Sequence, residues 1–148
     1  MIHIKTERDF AQPALLEQAA RTALRHQVVP GNPELTIVVA DDDRLREMNR
    51  KYLAVDAPTD VLAFPSEEKD PETKKRYLGD ILISLPRAEK QALKARHSVQ
   101  AEMQLLVVHG VLHLLGHDHA KPDDRAHMWQ AQREILKLLG LGTLNFGE

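Results

Sequence analysis

The segment 103–115 limits what this chain can fold into more than any other part of it. It is apolar almost all round, apart from Gln104, His109 and His113. A helix without a polar face is buried on every side, so this one lies at the centre of whatever the chain builds. Two histidines on such a helix are costly to bury unless each finds a partner. Their spacing of four places both imidazoles on one face, with Cβ atoms about 5–6 Å apart. Gly116 can end the helix by taking a left-handed conformation. The chain then turns back and can bring His119 to the same place.

The resulting pattern, His-x3-His-x5-His, bears on chemistry. A lone core histidine is satisfied by a backbone carbonyl. Three at this spacing, with a glycine between the second and third, fit a metal ion instead. Imidazole nitrogens bind zinc at about 2.0–2.1 Å, and three protein ligands leave the fourth tetrahedral position open, as in catalytic sites. The expected cofactor is one Zn2+ per chain on His109, His113 and His119. Three imidazoles also suit nickel and copper; tetrahedral preference and availability favour zinc. With no cysteines in the chain, thiolate sites and disulfides are excluded.

The 148 residues suit a single domain over 1–148. No apolar run approaches the roughly 18 residues of a membrane span. The N-terminus has acidic residues and no apolar h-region, so it does not read as a signal peptide. A cytoplasmic protein without membrane contact is expected. Net charge is −2, so any RNA binding must come from a local basic patch.

Hydrophobic periodicity predicts strands at 2–4, 35–40, 61–64 and 78–85. It predicts helices from 13 to about 26, after the aspartates 41–43, from 86 to about 96, over 98–115 and over 124–139. The second helix carries Leu45, Met48 and Tyr52 on one face. Residues 66–76 are polar and read as an exposed loop, and about nine residues form a tail. The order β-α-β-α-β-β-α-α-α implies an α+β domain, with a small mixed four-stranded sheet packed with about five helices. The histidine helix would be its zincin-like metal helix. Trp129 is expected in the core and His127 on the surface. His3, His26 and His97 lie far from the cluster in sequence and read as unrelated to it.

Other residues near the cluster divide between two roles. Asp118 could orient a ligand histidine or close an exposed turn. His117 reads as a turn or surface residue. Phosphate contacts need Lys or Arg. Arg44, Arg46, Arg50 and Lys51 form one candidate group, adjoining Thr59 and Asp60, which either face substrate or cap a turn. Arg87, Lys90 and Lys94 form another on one helical face, or a solvated surface. Six aromatics are too few to suggest a base-stacking platform.

The histidine spacing matches that of the metzincin peptidases. Those enzymes carry Glu, their general base, straight after the first His. Here Gly110 stands there, and a glycine cannot take a proton from water. A zinc peptidase is therefore an alternative that lacks its base.

The stretch from His109 to His119 (His-Gly-Val-Leu-His-Leu-Leu-Gly-His-Asp-His) resembles the signature of the YbeY family of bacterial endoribonucleases. Met48-Asn49 through Tyr52, Pro58-Thr59-Asp60-Val61-Leu62-Ala63-Phe64-Pro65, Gly79-Asp80-Ile81 and 128–141 are similar to other parts of that family. The resemblance covers nearly the whole chain. It implies a zinc-dependent, single-strand-specific endoribonuclease that matures the 3′ end of 16S rRNA, takes part in ribosome quality control and meets the small ribosomal subunit. It implies the ligands His109, His113 and His119; Thr59 and Asp60 are substrate-side candidates on the motif they belong to, and Arg50 and Lys51 are candidates to substitute for a family arginine that this chain lacks. Three positions depart from the pattern. Leu53 stands where the family has Arg, His117 replaces a usual Tyr and Ala63 a common Ser. Leu53 keeps open a second alternative, a non-catalytic, ribosome-associated zinc protein. Zinc can activate water or polarise a phosphoryl oxygen, and the RNA 2′-OH is a second possible nucleophile. The sequence does not choose between them.

Overall fold

A strand covered on both faces has to be apolar along its whole length, not alternately. The run around Thr36–Val39 meets that condition. In the computed structural model, which describes residues 1–117 and 121–143, it forms β2 (Glu34–Ala40), buried at six of seven positions. β1 (Ile2–Thr6) and β4 (Tyr77–Ser84) flank it, both parallel to it, and β3 (Val61–Pro65) closes the sheet antiparallel to β4. The order is β1-β2-β4-β3, the small mixed four-stranded sheet the sequence implied.

Five helices accompany it: α1 (Pro13–His26), α2 (Asp42–Leu53), α3 (Leu85–Ala95), α4 (Val99–Leu114) and α5 (Pro122–Leu138). Successive strand residues face opposite sides, and the two sides meet different helices. Leu35, Ile37 and Val39 of β2, with Ile81 and Ile83 of β4, join one large core with α1, α4 and α5. Leu82, Ala40 and Leu62 face the other way and pack with Leu45 of α2. Alanines 19, 20 and 23 of α1 are fully buried, and such short side chains let α4 come close.

Local chemistry sets the boundaries. Asp41 Oδ1 accepts from Arg44 N at 2.9 Å, and Ser98 Oγ from Ala101 N at 3.0 Å, so α2 and α4 begin at side-chain caps. Pro122 opens α5 two residues before the expected start, in the first turn where its missing N–H costs nothing. Ser84 ends β4 and caps α3, so that helix starts one residue earlier than expected. Residues 66–76 are a turn organised by Asp70, whose Oδ1 accepts from Glu72 N at 2.8 Å and Thr73 N at 3.2 Å. Of the expected tail, 144–148 lie outside the described residues. No described helix is long and apolar enough to cross a membrane.

Two expectations about packing need correction. Tyr52 does not join Leu45 on the buried face of α2; it is 55% exposed, in the last turn before Ala54 ends the helix in a left-handed conformation (φ 58°). Trp129 is only half-buried, on the flank of α5, with Arg125 5.6 Å from its ring centroid; the core positions there are Met128 and Ala131. His127 is exposed, as expected.

Candidate active site

α4 is the hub of the molecule, packed against α1, α3, α5, β3 and β4. Twelve of its sixteen residues are buried, including Glu102 and Gln104. Gly110 sets how closely it lies on the sheet: a Cβ there would stand 2.7 Å from Ile81 Cγ2, so the helix rests flush on β4 only because that atom is absent. The sequence marked Gly110 as a missing catalytic base; the structure gives it a packing role.

With Gly110 against the sheet, His109 and His113 stand on a half-buried flank. Their Nε2 atoms face each other at 3.1 Å and their ring centroids are 4.7 Å apart. At most one proton fits between two such nitrogens, so at least one lone pair points into the gap. Two nitrogens sharing a tetrahedral ion at about 2.0–2.1 Å would be roughly 3.3 Å apart. The observed pair is close to that separation, and its donor set suits a borderline-soft divalent metal. On the far side of the first ring, His109 Nδ1 lies 3.0 Å from Gln132 Oε1 of α5.

Past α4 the chain turns as Gly116 predicts. Its φ is +97°, and His117 N donates to Leu112 O at 3.0 Å. Asp118 and His119, the expected orienting residue and third ligand, lie outside the described residues. Among the described residues no trio of metal-ligating side chains converges. His117 belongs to the turn, one of its two expected readings, and not to the open surface. It is half-buried, burial holds its pKa below the ordinary 6.5, and its Nε2 meets Gln27 Oε1 at 2.7 Å. Gln27 continues to His26 Nδ1 at 3.0 Å, and His26 Nε2 to Glu134 Oε1 at 3.2 Å. Gln27 thus ties the end of α1 to the turn after α4, and His26, which read as unrelated, ties it to α5.

The substrate-side candidates separate into committed and exposed groups. Arg46 pairs with Asp56 at 2.7 Å, and Arg44 reaches Glu7 at 3.6 Å and Glu47 at 3.7 Å. Arg87 of the second basic group pairs with Asp42 at 3.3 Å, so it is no open phosphate contact. Arg50 and Lys51 are exposed at the end of α2. Thr59 Oγ1 donates to Asp60 Oδ1 at 3.4 Å, and Gln91 Nε2 of α3 to Asp60 Oδ2 at 3.3 Å. Asp60 also anchors β3 through its carbonyl, which accepts from Ser84 N at 2.9 Å. Lower on α4, Glu102 is buried against His97 at 2.7 Å, and burial raises its carboxyl pKa.

Two features escaped the sequence reading. Tyr52 meets Phe64 of β3 edge-on at 5.5 Å, with Lys51 Nζ 5.2 Å from the tyrosine ring. The count of six aromatics gave no sign that one of them would stand exposed beside the exposed Arg50 and Lys51. The other is Gln132. The only available signal was a polar residue between Ala131 and Ile135 on the apolar face of α5.

Fold and site together define a class: small α+β proteins with two histidines facing each other on one buried helix. The chain belongs to the Endoribonuclease YbeY family, whose model matches residues 2–140. It is 45% identical over 138 residues to Endoribonuclease YbeY of Roseiflexus sp. (strain RS-1), covering 89% of this chain and 86% of that one. The Pelotomaculum thermopropionicum protein of the same name is 42% identical, covering 90% of each chain. A solution structure from Thermotoga maritima shares the fold, with a TM-score of 0.61 and 23% identity over 97% of this chain and 94% of that one. The protein is a hydrolase acting on RNA, an endoribonuclease of ribosomal RNA processing from a metal-dependent family.

Proposed function

We propose that the protein, acting as one unit over residues 1–148, is a zinc endoribonuclease in which His109, His113 and His119 hold the ion. Its substrate is single-stranded RNA at the 3′ end of 16S rRNA, on the small ribosomal subunit in the cytoplasm, with a share in ribosome quality control. The observation that carries the reading is the pair of Nε2 atoms facing each other at 3.1 Å on a helix with nearly every other position buried.

When bound, zinc supplies Lewis-acid activation of water and neutralises charge at a phosphoryl oxygen. The chain's own residues supply the rest. His109 and His113 present nitrogens from a helix fixed on five sides, which keeps the geometry preorganised. Arg50 and Lys51 bind backbone phosphates. The Tyr52 ring offers a stacking surface to an unpaired base, a contact duplex RNA cannot make. Thr59 and Asp60 face the substrate at the start of β3, with Gln91 holding the Asp60 carboxylate in place. Asp118 orients a ligand histidine.

The test is cleavage of a labelled single-stranded RNA by the wild type and by His113→Ala, with metal content determined for both. The expected outcome is metal-dependent cleavage by the wild type and none by the variant. A fully metallated wild type that leaves RNA intact, alone and on small subunits, would overturn the nuclease reading. It would favour a ribosome-associated protein in which Leu53, standing where the family has Arg, marks a lost activity.

A further inference from the structure

Every histidine that binds a metal through one ring nitrogen must dispose of the other. The partner of that second nitrogen fixes both the tautomer and the ring plane. For His109 that partner is visible. Gln132 Oε1 lies 3.0 Å from Nδ1. A carboxamide oxygen only accepts, so Nδ1 carries the proton and donates. In a neutral ring this leaves Nε2 with its lone pair, aimed at the gap shared with His113 Nε2 3.1 Å away.

Gln132 can perform this task because its own backbone is held. It lies on α5 between Ala131 and Ile135, both buried, with Met128 and Leu136 buried beside them. The side chain itself is half-buried, which slows its exchange with water. An amide suits the position: a carboxylate would also accept, and would add charge, whereas an apolar side chain would leave the ring without this acceptor.

We propose that Gln132 is the positioning residue for the metal centre, holding His109 in the Nδ1–H tautomer with Nε2 directed at the ion. The proposal rests on His109 and His113 being ligands, so its test separates the two ideas. The full-length protein is stripped of metal. Zinc affinity is then measured by competition with a chromophoric chelator for the wild type, His113→Ala, Gln132→Leu and Gln132→Glu. The expected result is that Gln132→Leu binds zinc about 10–100-fold more weakly, while Gln132→Glu binds at least as tightly as the wild type. The metal-free melting temperature of the glutamate variant should change little. Zinc affinity in Gln132→Leu equal to the wild type would overturn the proposal. Equal affinity in the wild type and His113→Ala would instead overturn the ligand assignment beneath it. Should Gln132→Leu fail to fold, nitrogen-15 shifts of His109 in the metal-free wild type decide. The Nδ1–H tautomer supports the proposal and the Nε2–H tautomer refutes it.

Discussion

A methyl group at position 110 would have to share space with Ile81, a side chain with no exposed surface. Overpacking a core costs about 1–3 kcal/mol, and the better helix propensity of alanine offsets about 1 kcal/mol of that. Gly110→Ala should therefore lose on the order of 1 kcal/mol, seen as a lower urea midpoint with an unchanged slope. A stability equal to or above the wild type would mean that α4 does not rest on β4 through this contact. The residue also illustrates what a sequence offers and withholds. His109 and His113 were legible because spacing on a helix is geometry by itself. Gly110 was legible only as the absence of a glutamate, because its contact comes from Ile81, far away in the chain. Gln132 was hidden for the same reason: periodicity identifies the buried face of α5 but not which residue of α4 it meets.

Ser84 joins three elements. Its hydroxyl donates to Asp42 Oδ1 of α2 at 2.6 Å, and its oxygen accepts from Arg87 N of α3 at 3.3 Å, while its own backbone ends β4. The Ser84 bond, with Arg87 assisting, holds the Asp42 carboxyl below its ordinary pKa of 3.8. A carboxyl depressed in the fold adds stability that is complete above the unfolded value and disappears as pH falls through the folded one. Ser84→Ala should cost about 1–2 kcal/mol at neutral pH. The cost should hold down to the ordinary carboxyl value and shrink below it, as measured by urea unfolding across pH. A penalty that stays flat into acid would show that Asp42 plays no part. The elements themselves were largely readable. Their order and number follow from apolar periodicity, and Gly and Pro marked most breaks. Where boundaries moved, a cap decided: Ser84 drew α3 back by one residue, and Pro122 opened α5 early. Tyr52 was misplaced because spacing alone does not show that the last turn of α2 stands clear of the core.

At the scale of the whole molecule, the question is whether the metal builds the fold or occupies it. The main core joins α1, α3, α4, α5 and three strands through apolar side chains, with no ligand among its members. Removing the ion should leave the secondary structure and the dispersed methyl resonances of a packed core in place at 25 °C, while RNA cleavage is lost. The melting temperature should still fall, because a ligand at roughly 100–1,000 times its Kd stabilises by about 3–4 kcal/mol through mass action alone. A metal-free chain that unfolds at 25 °C would assign the ion a structural part instead. The sheet order and the pairing of α5 with α4 could not be read from the sequence, since both depend on contacts between distant segments. His119 and Asp118 remain as the sequence proposed them.

The place of α5 in the chain has a consequence in time. A ribosome delivers this protein from its N-terminus, so both facing histidines emerge before the helix that braces the first of them. Gln132 follows His109 by 23 positions. A nascent chain therefore presents His109 before Gln132, its proposed brace, has been made.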